Sequence, residues 1–547
     1  MKTLKNTRIQ HILLITVLLL SGLLPAAAEG LGFVPHSSKI YLLLEQAWAG
    51  GYLDYLPQVR PYTTAQVQEL AAELDASSAP AALKQALRAN LAAEAPGLNL
   101  ASSWDEGSNS LRLNTRAGLS FDMDLSNPQD LVAKGSWIVD LGIGFGDYLF
   151  LGVGQNFSLS YYSWLDQPFN RFDRPAMPDM NMYTFFLDKD SQGFNHVMSH
   201  TPGDRDISIT AAATMQFNIG LPFGHIQVGR QSLDWGPSPF ANLALSKTSK
   251  PYEYFGYSFD IAGKGRFIWT TNVLQPFGFT TEQDPKLISA HRLEYQFFPW
   301  FMFAIQESIV YSYRFELSYM NPLTLYYISE VNKGDQDNKL GGVDLIFRAP
   351  DTKIYLSLYA DDWDFGQLFS FNYFHNIWAG ILGATNYSVP GLVLNAEAIY
   401  LSHWMYTHDI ENQQYTHWGT HLGHPLDPTS WMLRLKADYS IQPQWQAGLN
   451  AWVSQKGRGN INTPALWGEE AVFYGVPLNE LFYRFLDSGM PGIVIETSWS
   501  IGLNTEYTLP RLPISFAGSW QLQRTLNKGN IEGSHAWNNY FSLVIRM

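Results

Sequence analysis

Leu111-Arg112-Leu113-Asn114-Thr115-Arg116-Ala117-Gly118-Leu119-Ser120-Phe121-Asp122-Met123-Asp124-Leu125 is where the period of this chain becomes two. Leu111, Leu113, Thr115, Ala117, Leu119, Phe121, Met123 and Leu125 fall on one face of an extended chain. Arg112, Asn114, Arg116, Ser120, Asp122 and Asp124 fall on the other. Successive side chains of a strand point to opposite faces, so this is one apolar face backed by one polar face. A helix would scatter the same residues around its axis. Strands of soluble sheets usually run about 3–10 residues. A strand crossing a bilayer needs about 9–11 within the hydrocarbon and extends beyond it.

The pattern recurs downstream. Ile207, Ile209, Ala211, Ala213, Met215, Phe217 and Ile219 alternate with polar residues, as do Trp431, Leu433, Leu435, Ala437 and Tyr439. Ile493, Ile495, Trp499, Ile501, Leu503 and Tyr507 repeat it, and Phe541, Leu543, Ile545 and Met547 end the chain on one face. Tight Gly/Pro connections fall near 144–147, 221–224, 263–265, 298–300, 349–352, 388–391, 442–444 and 510–513. Longer ones fall near 165–205, 232–254, 275–285, 314–336, 362–374, 403–429, 456–491 and 525–535, after a compact first loop at 126–131. Short and long connections alternate and separate about 18 strands, the weakest at 255–262. This predicts a transmembrane antiparallel β-barrel over 109–547, with short periplasmic turns and long extracellular loops. Trp137, Tyr148, Trp164, Trp445 and Tyr507 are candidates for the aromatic girdles.

Composition agrees. Of 547 residues only 15% are charged, and another 15% are aromatic. An ordinary soluble domain carries about 25% charged residues. Yet the mean hydropathy of −0.13 is too low for a bundle of membrane helices. A barrel wall averages lipid-facing and lumen-facing residues and reconciles the two. The chain has no cysteine, which excludes disulfides and thiolate metal sites. Its net charge of −14 disfavours nucleic acid, whose affinity rests on neutralised phosphates.

Ahead of the barrel the chain reads differently. Lys2, Lys5 and Arg8, the apolar run 12–24 and Ala26-Ala27-Ala28 form a signal peptide over 1–28, expected to be cleaved. Residues 29–98 then show a helical period. Ile40, Leu43, Leu44, Ala47 and Trp48 share one face, capped by Ser37 or Ser38 and stopped by Gly50-Gly51. Thr63 and Gln66 have the spacing of a capping box before Val67, Leu70, Ala71 and Leu74. Pro80 opens a third helix with Leu83, Leu87 and Leu91. Three short amphipathic helices must bury their apolar faces, so this small periplasmic bundle is expected to dock on the barrel.

The segment 403–429 concentrates His403, Trp404, Tyr406, His408, Tyr415, His417, Trp418, His421 and His424. Flat rings with a few directional polar groups suit a sugar. Trp404, Tyr415, His417, Trp418 and His421 are therefore candidate polysaccharide contacts. Packing within the loop explains the same residues. The metal reading is weaker, because Gly419 and Gly423 argue against the helix that would align His417 with His421. No metal or cofactor is expected. Neither is catalysis: no nucleophile elbow appears, and Asp361-Asp362 and Glu469-Glu470 read as solvated loop acids.

A more specific constellation follows a strand ending Val228-Gly229-Arg230-Gln231. It is Trp235-Gly236-Pro237, then Leu245-Ser246 and Lys250-Pro251, with Glu307-Ser308 and Asn321-Pro322 further on. Together with Leu44, Gly50-Gly51, Arg60-Pro61 and 67–74, it resembles the Wzi-like capsule assembly family of outer-membrane proteins. The family often has Asn-Ala before the Pro, where this chain has Lys247-Thr248-Ser249-Lys250. The resemblance implies an 18-stranded barrel, a periplasmic bundle closing its lower end, and lectin-like binding of extracellular or capsular polysaccharide.

Physically, Gly236 and Pro237 make a rigid turn at a strand end, with Trp235 packed on the wall. Arg230 is expected to point into the lumen and pair with a carboxylate such as Glu307, holding an inward-folded loop. The leading expectation is a monomeric lectin-like protein assisting capsule assembly or attachment. The alternative is a porin or sugar channel, for which Arg112, Arg116, Arg434 and Lys436 would form a basic lumen stripe.

Overall fold

The structure is a computed structural model. It describes residues 32–93, 98–104, 109–124, 131–145, 148–162, 184–186, 206–274, 285–334, 336–362, 376–408, 410–417, 419–442, 444–457, 494–510, 512 and 514–547. Eighteen long strands close into one antiparallel barrel. They are β1 (Asn109–Asp124), β2 (Leu131–Phe145), β3 (Leu149–Tyr162), β4 (Asp206–Leu221), β5 (Gly224–Gln231) and β6 (Tyr252–Ile261). Next come β7 (Gly265–Leu274), β8 (Lys286–Phe298), β9 (Phe301–Ser312), β10 (Asn338–Ala349), β11 (Thr352–Asp362) and β12 (Ile377–Asn386). The last are β13 (Leu392–Leu401), β14 (Ser430–Gln442), β15 (Trp445–Lys456), β16 (Glu496–Thr508), β17 (Ser515–Leu526) and β18 (His535–Arg546).

The seam is closed by the chain's own ends. Strand β18 pairs with β1, Tyr540 opposite Asp124 and Arg546 opposite Gly118. Met547 then exchanges two backbone hydrogen bonds with Ala117. The segment Leu98–Trp104 pairs along the rest of that edge, Leu98 opposite Thr115. Pairing the seam removes the unpaired backbone that lipid would not tolerate.

The strand ends that flank all eight expected tight turns lie at one end of the barrel, and those that flank the long connections lie at the other. The weak strand at 255–262 is a full one, β6. The alternation holds across the wall. Leu119, Phe121, Leu141, Val153, Leu435 and Leu503 project outward and are exposed, a lipid-facing band. Trp137, Trp445 and Tyr507 are exposed on that side as well, and Tyr148, just before β3, is exposed; Trp164 lies outside the described residues. Aromatic pairs mark both ends, with Phe298 and Trp300 5.4 Å apart at the short-turn end and Trp378 and Tyr400 4.8 Å apart near the long-loop end.

The helices are α1 (Ile40–Ala49), α2 (Thr64–Ala76) and α3 (Ala81–Ala93). The Ser38 hydroxyl accepts the Ile40 N–H, and Gly51 turns the chain away from α1 at φ +77°. The Thr63–Gln66 capping box is formed reciprocally. Ile40, Leu44, Ala47 and Trp48 of α1 are completely buried, with Val67 and Leu74 of α2 and Leu87 of α3 in the same core. Fully burying a large apolar side chain is worth about 1.5–3 kcal/mol, which is how three short helices become one stable unit. No helix among the described residues is long and apolar enough to cross a membrane.

Candidate functional site in the plugged lumen

The lumen is filled from both ends. The helical unit enters at the short-turn end and bonds to inward-facing residues of β8, β10 and β11. Tyr55 Oη donates to Glu294 at 2.8 Å, and the Gln58 N–H donates to the same carboxylate at 2.9 Å. The Arg348 guanidinium lies over the Trp48 ring, 5.4 Å from its centroid, and donates to the carbonyls of Trp48 and Leu53.

From the long-loop end, the connection 232–251 turns inward to meet the helical unit. Strand β5 stops at Gln231, and the next residues run down the lumen. Asp234 and Trp235 pair antiparallel with Arg60 and Val59. The Gly236 N–H donates to the Gln58 carbonyl. Gly236 sits at φ +138°, and a Cβ there would meet Asn242 Oδ1 at 2.5 Å. Only glycine suits that turn. Trp235 is completely buried, and Lys353 Nζ donates to the Pro237 carbonyl at 2.8 Å. Thus Trp235-Gly236-Pro237 is the turn that joins the loop to the helical unit.

A charged hub holds the junction. Arg60 bridges Glu45 on α1 and Asp234 on the loop, the latter at 3.3 Å. Lys353 Nζ donates to the other Glu45 oxygen at 2.6 Å, and Tyr387 Oη donates to it at 3.3 Å. Burial alone would raise the Glu45 carboxyl; Lys353 and Arg60 outweigh it and hold the group below its ordinary value. Asp234 follows the same logic with Lys247 and Arg60, and it also accepts from Asn242 Nδ2 at 2.8 Å. Nearby, Ser238 Oγ and Tyr355 Oη both donate to Glu397, at 2.6 and 2.7 Å. Each buried charge has an opposite charge or donors beside it, the condition for a buried ionic cluster to persist.

A third layer, residues 402–408, 410–417 and 419–429, lies on the second. Tyr406 Oη donates to the Leu243 carbonyl at 2.6 Å, and the Ser246 N–H donates to the Leu422 carbonyl. Gly423 passes so close that a Cβ would stand 2.1 Å from the Leu243 oxygen. Tyr415 Oη and Ser308 Oγ are 2.8 Å apart. Lys286 Nζ donates to Thr416 Oγ1 at 3.1 Å, and the Asp361 carboxylate accepts the Tyr406 N–H.

Trp404, Tyr415 and His417 are therefore buried, and His421 half-buried. These rings pack the plug and do not form an open platform, because the loop folds inward where a free surface loop would leave them in solvent. Trp418 lies outside the described residues. Burial pushes His417 and His424 down to about 3 and His421 to about 4, so all three are neutral at physiological pH. Among the described residues, no three His, Asp or Glu side chains gather closely enough to hold a metal ion.

The remaining motif residues divide. Gly229 faces the lumen against Tyr254, and Ser246 links the second and third layers. Arg230 does not face the lumen. Gln231 donates to the buried Tyr254 hydroxyl, which fixes the parity of β5 and sends Arg230 outward, in register with exposed Glu253. Glu307 is also on the outer face. It lies 3.2 Å from His291, its cross-strand neighbour, and accepts the N–H groups of Tyr326 and Tyr327. Asn321 and Pro322 belong to the same outer segment.

Two residues of the expected basic stripe are compensated. Arg116 pairs with Asp140 at 2.8 Å and Lys436 with Asp438 at 2.7 Å. Arg434 lies over Phe240, 4.0 Å from its centroid, and donates to Asn450. Nothing is described of the Arg112 side chain. The residues that bind the layers together, Glu45, Asp234, Lys353 and Glu397, were not among the predicted site residues. Glu45 and Lys353 are 308 positions apart, and no local spacing signals their pairing.

The plug is not concentric. A cavity of about 380 Å³ remains between α1, the 232–251 connection and β13–β16, with Lys39, Phe240, Lys436, Asp438, Asn504 and Glu506 among its lining. From there through β17, β18, β1 and β2 the inner face carries amides, hydroxyls and paired charges: Asn504, Ser519, Gln521, Gln523, Arg116 and Asp140.

No family model matches the chain, and no curated protein does. Among solved structures it is similar to Wzi, an outer-membrane protein involved in group 1 capsule assembly in Escherichia coli and described as a carbohydrate-binding β-barrel. The TM-score is 0.58 at 12% identity, covering 94% of this chain and 99% of that one. OprD from Pseudomonas aeruginosa gives 0.44 at 10% identity, over 82% and 94% of the two chains. OccAB2 from Acinetobacter baumannii gives 0.45 at 9%, over 81% and 98%. The first likeness shows the fold, a closed barrel of the outer-membrane type. The other two overlay too loosely to carry an argument.

Proposed function

We propose that this chain is an exported outer-membrane protein that holds extracellular or capsular polysaccharide at its long-loop face, without catalysis, and assists capsule assembly or attachment. The observation that carries this reading is the two-sided plug, in which a long connection descends the lumen and is joined to the helical unit at Val59–Arg60 and Asp234–Trp235. A transport path has no use for such a junction, whereas a rigid scaffold for a surface polymer does. The even strand count, with both barrel ends on the short-turn side, supports a periplasmic helical unit and extracellular long loops. The fold shared with a carbohydrate-binding barrel supports a carbohydrate ligand. The amide and hydroxyl rows of β16–β18 supply the directional groups a polyhydroxylated polymer requires.

Binding of the refolded protein to an array of acidic and neutral bacterial polysaccharides tests this. At least one is expected to bind. The pair Gln521→Ala and Gln523→Ala should weaken binding about tenfold, at ~0.5–1.5 kcal/mol per hydrogen bond lost. Binding to none removes the reading. The cavity and the polar inner face favour a second reading, a channel for small sugars. Liposome swelling in isotonic sugar separates the two, since a channel swells the vesicles and a plugged lectin does not.

A further inference from the structure

Toward the long-loop end, strands β8 and β9 are covered on both faces. Their inward residues meet the plug. Their outward residues there, which elsewhere face lipid, meet a flap formed by residues 313–334 and 336–337 between β9 and β10. Outward-facing Leu287, Ile309 and Tyr311 form one buried cluster with Tyr319 and Tyr326 of the flap. The short helix α4 (Tyr326–Val331) is pinned there. Trp269 Nε1 donates to Tyr326 Oη at 3.1 Å, and the Tyr326 ring stacks on His291 at 4.5 Å. Glu307 accepts the first N–H groups of that helix. The landmark residues Glu307, Asn321 and Pro322 thus belong to one device, a flap folded back over the outer wall.

The flap's other surface is strongly apolar. Leu317 is 75% exposed and Leu323 80%, with Phe315, Leu325, Ile328 and Val331 each more than half exposed. Among its described residues the charges are paired: Arg314 with Glu316 and Asp337, Lys333 with Glu316, and Glu330 with Lys339 of β10. Large apolar side chains exposed together on one segment mark an interaction site, a membrane among them. Pairing its charges is what a segment in a low-dielectric medium requires. Continuity identifies that medium. Just below the flap, on the same outward rows, Ile305 and Leu293 resume the bare lipid-facing wall.

We propose that the 313–337 flap is a membrane-inserted element, its outer face bathed in the hydrocarbon of the leaflet on the long-loop side. The flap reaches from the end of β9 to Glu307, five residues down the strand, or about 16 Å at strand rise. It thickens the wall on the side where the plug is most firmly attached.

The absence of cysteine makes the test clean. Single variants Leu317→Cys and Leu323→Cys would carry an environment-sensitive fluorophore in proteoliposomes. Leu382→Cys on the bare wall serves as the lipid reference, and Lys528→Cys in an exposed loop as the aqueous one. Nitroxide-labelled phospholipid should quench positions 317 and 323 as strongly as 382, with iodide several-fold less effective there than at 528. Quenching by iodide at the level of 528 overturns the proposal. So does protection from both quenchers with thiol cross-linking between chains at 323, which would make the covering surface a second copy.

Discussion

From β6 to β13 the inward residues include Tyr254, Ile288, Arg292, Met302, Ile346, Tyr355, Ile381 and Glu397, every one buried. On β14–β18 and β1–β2 they include Lys436, Asn450, Gln521, Gln523, Arg116 and Asp140, all half-buried. Both arcs obey the same alternation, and both present apolar residues outward. They differ in what the inner face meets. The first arc carries large apolar groups and closed ionic clusters because it is a protein–protein contact within one chain. There, Arg292 bridges Glu294 at 3.0 Å and Asp344 at 2.5 Å. The second arc keeps small polar groups because much of it faces solvent. A plug bonded to one arc fills that side of the barrel and leaves a polar margin along the other.

The largest expected effect breaks the bonded arc. Glu45→Ala leaves Arg60 with Asp234 alone and takes from buried Lys353 its carboxylate partner. Removing one partner of a buried cluster costs about 3–5 kcal/mol. Guanidinium unfolding followed by tryptophan emission should register it. Glu506→Ala removes only half-exposed contacts, with Lys39 at 3.8 Å and with Arg546 at 3.5 Å. It should cost about 0–1 kcal/mol, the range for surface pairs. Equal losses at the two positions would erase the distinction between the arcs.

Gly236→Ala comes next. The φ of +138° and the 2.5 Å approach to Asn242 oppose any side chain. Strain of this kind costs about 1–3 kcal/mol and would detach the loop before it unfolds the wall. Protease sensitivity at 232–251 should rise while the barrel keeps its circular dichroism.

Acid is expected to act on the third layer. His417, His421 and His424 are held at about 3 to 4 by burial, whereas an unfolded histidine titrates near 6.5. Between those values the unfolded segment binds more protons than the folded one. Stability is therefore complete above pH ~6.5 and declines as pH falls toward the folded values. At one unit below 6.5 the loss is at most ~1.4 kcal/mol per histidine. The melting temperature at pH 5.5 should lie below that at pH 7.5, and His417→Gln with His424→Gln should narrow the gap. The smallest effect belongs to the open arc, where Gln521→Ala should change stability by no more than about 0.5 kcal/mol.

The fold was largely legible, because alternation over 111–125 and its repeats is a local property, as is the alternation of short and long connections. The capping box at Thr63 and the turn at Trp235-Gly236-Pro237 were legible for the same reason. The interior was not. Whether Trp404 and Tyr415 face water or the plug depends on a loop's direction, which composition does not encode. The outward parity of Arg230 follows from Gln231 meeting Tyr254, a contact between strands. The flap was hidden because 314–336 reads as an ordinary long connection until β8 and β9 are placed beside it.

The central claim is that the barrel is closed by a junction inside it. Conductance of the refolded protein in planar bilayers tests this most directly. The wild type should give no steady current steps, whereas Glu45→Ala, or Gly236→Ala combined with it, should give frequent openings. Stable openings of porin size in the wild type would contradict the plug and the function built on it.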